Sequence, residues 1–167
     1  MDKKYFAGIG SRSAPESYKE IVRKIAPFLV KKGYVLRSGG ATGADSFWEQ
    51  SYDEANGEKE IWLPWLGFND NKSKLLWKQA DWDLAKEFHP NWDGLKLGAR
   101  QLMARNTCQC GINNKPLSEF IIAWTEGGEM VGGTAQCLRL AKHFKIPVYN
   151  LGAKNGLDKL RKFCKTL

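Results

Sequence analysis

Short apolar runs alternate along this chain with longer stretches in which apolar residues return every three or four positions. YFAGIG (residues 5–10) predicts a first strand ending in glycine. From Glu16 to Lys32, Tyr18, Ile21, Val22, Ile25, Phe28 and Leu29 recur at helical spacing. Pro15 suits the first turn of that helix, Pro27 predicts a kink or a division, and Gly33 a C-terminal cap. YVLRS (34–38) predicts a second strand that runs straight into Gly39 and Gly40. A helix from about Gly43 to Asn56, ended by Gly57, is followed by a third strand, EIWLP (60–64), and a loop, WLGFNDNKS (65–73). Ser73 to Phe88 predicts a helix of mixed periodicity through Leu75, Leu76, Gln79, Trp82 and Ala85. After the turn-rich HPNWDG (89–94), Leu95 to about Cys108 predicts another helix. EFIIAW (119–124) is apolar without alternation, as in a strand buried on both faces of a parallel sheet. A helix over Thr134–Phe144, a strand in IPVYNL (146–151) and a closing helix over Leu157–Lys165 complete the pattern.

Strands alternating with helices imply βαβ units. The expected fold is α/β: one Rossmann-like, doubly wound domain with a mostly parallel sheet flanked by helices. In such sheets ligands bind beyond the carboxyl ends of the strands. Three glycine-rich stretches fall at such ends: GIGSR (8–12), RSGGATGAD (37–45) and EGGEMVGGTAQ (126–136). Glycine lets backbone N–H groups approach a ligand, and the helix beginning near Gly133 or Thr134 offers its N-terminus to a phosphate. GIGSRS is a partial G-x-G-x-x-G with Ser13 in the third place. SGGATGAD is no Walker motif, because no Gly-Lys-Ser/Thr follows, which argues against ATPase chemistry. Two loops of this design predict a phosphate-bearing ligand.

The 167 residues fit one domain, and no apolar run approaches the ~20 residues of a membrane-spanning helix. The start, MDKKYFAGIGSR, has no apolar signal region, so a soluble cytoplasmic protein without membrane partners is expected. A net charge of +8 suits a nucleic acid, a nucleotide or a phosphorylated metabolite, or is simply a basic surface. Cys108 and Cys110 form C-x-C, without zinc-finger spacing or a second pair, and His89 and His143 are distant in sequence. No metal and no cofactor are expected, and Cys137 and Cys164 read with them as reduced thiols.

The three motifs, in this order, resemble those of the SLOG superfamily. It includes Lonely-guy phosphoribohydrolases, the DNA-processing protein A group and nucleotide-sensing domains of defence effectors. GIGSRSAPE, LRSGGATGADSFWE, IWLPWLGFN, HPNW, LMARN and WTEGGEMVGGTAQCLRLA are similar to small stand-alone bacteriophage members of that superfamily. The resemblance implies a Rossmann-like fold, a nucleotide or nucleotide-sugar pocket and a homo-oligomer. Its first loop matches Gly8, Gly10, Ser11 and Arg12; its second matches Ser38, Gly39, Gly40, Gly43 and Asp45. Its last matches Gly132, Gly133 and Thr134, with Gly127 and Gly128 upstream, and Arg105 matches the family's arginine. Ala41, Thr42, Asn106, Thr125 and Gln136 complete the candidate ligand contacts.

Lonely-guy enzymes carry P-G-G-x-G-T-x-x-E. Here Thr134 is followed by Ala135, Gln136 and Cys137, so the glutamate is missing from its place. N-glycosidic hydrolysis develops positive charge on the ribose, which a carboxylate stabilises. Gln136 does neither that nor base catalysis but can bond a ribose hydroxyl, so no catalytic residue is assigned. Glu126 and Glu129 are the nearby carboxylates. Asp45 reads as a ligand contact or as an acidic first-turn residue. Arg12 and Arg105 read as a phosphate clamp or as surface ion pairs; Trp65 and Trp124 as base-stacking or core residues. Asn106 reads as a base contact or a local cap, and His89 as a turn residue. The expected function is binding of a phosphorylated nucleotide or an ADP-ribose-like signal, linear or cyclic, with sequestration of a defence messenger as its use. A nucleoside-monophosphate N-glycosidase and single-stranded DNA binding are the alternatives, with DNA not expected as the main partner.

Overall fold

The computed structural model describes residues 2–113 and 116–167. Strands and helices follow in the order β1 (Lys4–Gly8), α1 (Glu16–Lys31), β2 (Tyr34–Ser38), α2 (Ala44–Glu54), β3 (Lys59–Leu63), β4 (Leu75–Leu76), α3 (Gln79–Phe88), α4 (Leu97–Cys110), β5 (Ile121–Ala123), α5 (Thr134–Phe144), β6 (Val148–Asn150) and α6 (Gly156–Cys164). The strands form one parallel sheet in the order β4-β3-β2-β1-β5-β6. The chain winds outward from β1 to one edge, then returns to β5 on the other side of β1. The reversal puts a topological switch point between β1 and β5, where Ala7 pairs with Ile121 and Gly8 with Ile122.

Strand periodicity sorts side chains between the two faces. Phe6 and Ile122 join the cluster of Tyr18, Val22, Leu29, Trp48, Tyr52 and Leu160, beneath α1, α2 and α6. Ala7, Ile121 and Ala123 join Cys110, Cys137, Leu138 and Leu140, beneath α4 and α5. Ile121, Ile122 and Ala123 are fully buried, as the unalternating apolar run predicts for a strand covered on both faces.

The structure excludes one of the two alternatives at Pro27 and corrects the element expected over residues 73–88. Helix α1 continues across Pro27 rather than dividing there. Pro27 and Arg23, whose carbonyl loses its helical partner, are both exposed. The predicted helix over Ser73–Phe88 is a short edge strand followed by a helix. Leu75 pairs with Trp62, Ser73 Oγ donates to the Ile61 carbonyl at 2.5 Å, and helix α3 starts only where the Asp81 carboxylate accepts the Lys78 N–H at 2.8 Å. That side-chain cap fixes the helix start six residues later than periodicity suggests.

Candidate functional site

Beyond the carboxyl ends of β1, β2 and β5 lies a cleft of about 580 Å3 at the switch point. Its walls come from all three glycine-rich loops and one face of α4.

The first loop continues the path of β1 alongside β5. Ile9 N–H donates to the Ile122 carbonyl and Ser11 N–H to the Trp124 carbonyl, each at 3.0 Å. Beneath it, the Tyr18 hydroxyl donates to the Ile9 carbonyl at 3.2 Å and accepts the Trp48 indole N–H at 2.8 Å. Burial raises the Tyr18 pKa, keeping the hydroxyl neutral as a donor. The Ser11 carbonyl accepts the N–H groups of Ala14 and Ala44, so helix α2 is tied to this loop. At Gly43, φ is +78° and an added Cβ would meet the Arg12 carbonyl; this glycine permits the two loops to touch. Gly10, Ser11, Arg12 and Ser13 line the cleft.

The second loop supplies Ala41 and Asp45. The Asp45 carboxylate accepts the Ala41 N–H at 3.2 Å and is 5% exposed. Burial pushes its pKa up to about 6, against the opposing pull of the Arg105 charge and the hydrogen bond from the Ala41 N–H. Arg105 is also 5% exposed. Its Nη1 donates to the Gly39 carbonyl and, at 3.3 Å, to the Trp62 carbonyl; its Nε donates to Asn106 Oδ1 at 3.1 Å. Nη2 has no hydrogen-bond partner among the described residues, and Arg105 lines the cleft. Burial lowers the Arg105 pKa while Asp45 raises it, and the Arg12 charge adds to the lowering, as expected of two guanidinium groups at one cleft.

The third loop runs from Thr125, whose N–H donates to Asn150 Oδ1 at 3.1 Å and whose Oγ1 accepts Asn150 Nδ2–H at 2.7 Å. Gly132 takes φ +66° with open space where a Cβ would stand. Asn106 Nδ2 donates to the Gly133 carbonyl at 3.0 Å and fixes the start of α5 against α4. The N–H groups of Gly132, Gly133 and Thr134 carry no hydrogen bond among the described residues, and all three residues line the cleft. They form the positive end of the α5 dipole.

Of the predicted contacts, Gly10, Ser11, Arg12, Ala41, Asp45, Arg105, Asn106, Thr125, Gly132, Gly133 and Thr134 come together on this cleft. Gly8, Ser38, Gly39, Gly40, Thr42, Gly43, Gly127, Gly128 and Gln136 stand off its lining. Most of these are packing residues. A Cβ at Gly8 would strike the Trp48 ring, one at Gly39 the Arg105 guanidinium, one at Gly40 the Leu63 side chain, and one at Gly128 Ala153. Ser38 Oγ donates to the Gly8 carbonyl at 2.7 Å. Gln136 is fully buried; its Nε2 donates to the Ala85 carbonyl and its Oε1 accepts from Arg139, so neither end is available to a ribose hydroxyl. Trp65 and Trp124 also lie off the lining, and His89 Nδ1 accepts the Asn91 N–H within its own turn.

Residues that motif reading passes over are Ile9, Ser13, Leu102, Met103, Gln109, Val131 and Cys137; Glu126, a candidate carboxylate, joins them at the rim. Helical spacing from Arg105 reaches Leu102 and Gln109, and spacing from Gly133 reaches Cys137. Cys137 occupies the place of the missing glutamate, three residues after Thr134. Cys137 is 1% exposed, and contact with Cys110, then burial, pushes its pKa well up, which favours the neutral thiol. Among the described residues no group of three His, Cys, Asp or Glu is placed to hold a metal.

No protein-family model and no curated protein matches the sequence. Solved structures do. DNA processing protein A from Helicobacter pylori, which binds single-stranded DNA, superposes with a TM-score of 0.59 at 18% identity, over 98% of this chain and 79% of that one. The molybdenum cofactor carrier protein of Chlamydomonas reinhardtii gives 0.57 at 16% identity, over 98% and 86%. DNA processing protein A from Streptococcus pneumoniae gives 0.56 at 16%, over 96% of this chain and 56% of that longer one. At these identities the likeness is one of fold. It bears out, at that level, the resemblance carried by the three glycine motifs.

Proposed function

We propose that the chain binds a small phosphorylated nucleotide or an ADP-ribose-like ligand in this cleft and holds it without chemical conversion. The observation that carries this reading is the convergence of Arg12, Arg105 and the open N-terminus of α5 on one cavity of about 580 Å3. That volume is in the range of small-ligand pockets. Guanidinium groups and helix N-terminal amides are the donors that phosphate oxygens take. Retention without turnover is supported by the neutral thiol of Cys137 where the hydrolases carry glutamate. Sequestration of a signalling nucleotide, the use implied by the resemblance to phage members, requires only such binding.

One observation favours the N-glycosidase reading: Asp45 lines the cleft with a carboxyl pKa of about 6, suited to acid–base work near neutrality. Long incubation of stoichiometric protein with AMP, GMP, CMP, UMP and ADP-ribose, followed by denaturation and chromatography, separates the two. Intact ligand is the expected result. Free base or ribose phosphate, lost in Asp45→Asn or Glu126→Gln, would replace the binding protein by an enzyme.

A further inference from the structure

We infer that the cleft recognises the sugar-phosphate part of its ligand and leaves the base unread, with Asp45 taking the sugar hydroxyls. The inference rests on the phosphate-binding reading above and narrows it.

Two ways of recognising a base are absent from the cleft. Stacking needs an aromatic face, and among the described residues no Phe, Tyr, Trp or His lines the cavity; its apolar wall is Ile9, Leu102, Met103, Val131 and Cys137. Reading a base edge usually takes an amide side chain offering donor and acceptor together. Each amide near the cleft already has its oxygen engaged internally. Asn106 accepts from Arg105 Nε and donates to the Gly133 carbonyl. Gln109 Oε1 accepts the Cys137 thiol at 3.2 Å, which leaves it only the Nε2 donor, close to Gly39. Gln136 is bonded to Ala85 and Arg139 and lies off the lining.

Besides serine and threonine hydroxyls and the exposed Glu126, the cleft has a cationic end and one buried acid. Arg12, Arg105 and the α5 amides suit a phosphate. Asp45 is held by the Ala41 N–H on Oδ2, lies beside Arg105 and lines the cavity. A carboxylate has about four acceptor sites and no donor. It repels phosphate but accepts hydroxyl protons, so it orients a ligand that carries its anion and its hydroxyls a few bonds apart. A pentose phosphate has that arrangement. A 2′-deoxy sugar offers one donor fewer.

The test is calorimetric titration of the full chain with AMP, GMP, CMP, UMP, ribose 5-phosphate and 2′-deoxy-AMP. The four ribonucleotides should bind within about threefold of one another, and ribose 5-phosphate within about tenfold of them. 2′-deoxy-AMP should bind about tenfold more weakly than AMP, the loss expected for one hydrogen bond to a charged group. In Asp45→Asn that ribose-to-deoxyribose ratio should shrink towards one, while Arg12→Ala weakens every ligand alike. The comparison on the unmodified protein stands even if the Asp45 variant does not fold. One nucleotide preferred by about thirtyfold or more, or AMP binding where ribose 5-phosphate does not, would overturn the inference and leave the nucleotide-binding reading standing. AMP and 2′-deoxy-AMP binding equally would remove the role of Asp45. No binding of any of these ligands would overturn the inference, and failure of ADP-ribose to bind as well would remove the nucleotide-binding reading with it.

Discussion

Asp45 gives the cleft a pH signature. Its carboxyl has a pKa of about 6 in the folded chain against an ordinary 3.8, chiefly because it is buried. Between those values the folded state holds a proton that the unfolded state releases. The stability this contributes is complete below about pH 4 and is lost as pH rises through 6. The gap corresponds to on the order of 3 kcal/mol. Asn mimics the protonated carboxyl, so urea unfolding of the wild type and Asp45→Asn should converge near pH 4, and the wild type should lose ground to the variant up to pH 7. Parallel pH profiles would show that Asp45 is solvated. The sequence disclosed the acid but not its burial, which depends on α4 packing over the second loop. In the same way it pointed to Gln136 when the residue facing the cleft is Cys137. Motif spacing places a residue on a helix, but only packing shows which side of that helix meets the ligand.

At the scale of elements, the start of α5 is the most specific feature of the site, and the sequence placed it at the observed residue, Thr134. A strand running into glycines and then into an amphipathic helix is a local signal. The edge strand β4 was not legible, because two residues leave no periodicity and its pairing with β3 is a tertiary contact. Several glycines were legible as special but for the wrong reason, since Gly39 makes room for Arg105 and Gly43 for the first loop. Gly133 differs from these. Its φ is −64°, and an added Cβ would meet only the Met103 methyl at 3.7 Å, an ordinary contact. Gly133→Asp should therefore fold and melt close to wild type, yet set a carboxylate at the expected phosphate position. Titration with AMP should show at least ~10-fold weaker binding, about 1.4 kcal/mol. Unchanged affinity in a folded variant would move the phosphate away from α5.

For the whole molecule, the parallel sheet was legible in the buried run Ile121–Ala123, whereas the strand order was not, since crossover direction leaves no trace in periodicity. Net charge was legible but ambiguous: +8 suits DNA as well as a nucleotide, and the fold is shared with a single-stranded-DNA-binding protein. Placement of charge and rings sets what each partner's binding should look like. Strand-tracking grooves interleave cations with aromatic faces. The cleft here has no aromatic lining among the described residues, and Asp45 and Glu126 line it together with its two arginines. Elsewhere, lysines such as Lys3 and Lys59 are paired with Glu58, Glu49 and Asp53. Mixed-sequence single-stranded DNA should thus be held by scattered surface cations, weakly at physiological salt. Its affinity should fall steeply from about 50 to about 200 mM salt, because each neutralised phosphate releases a counterion. AMP, anchored by two guanidinium groups and helix amides, should lose far less over the same range. Parallel anisotropy and calorimetric titrations measure both slopes. A tight DNA complex that resists salt and is displaced by AMP would place the strand in the cleft and make DNA the partner.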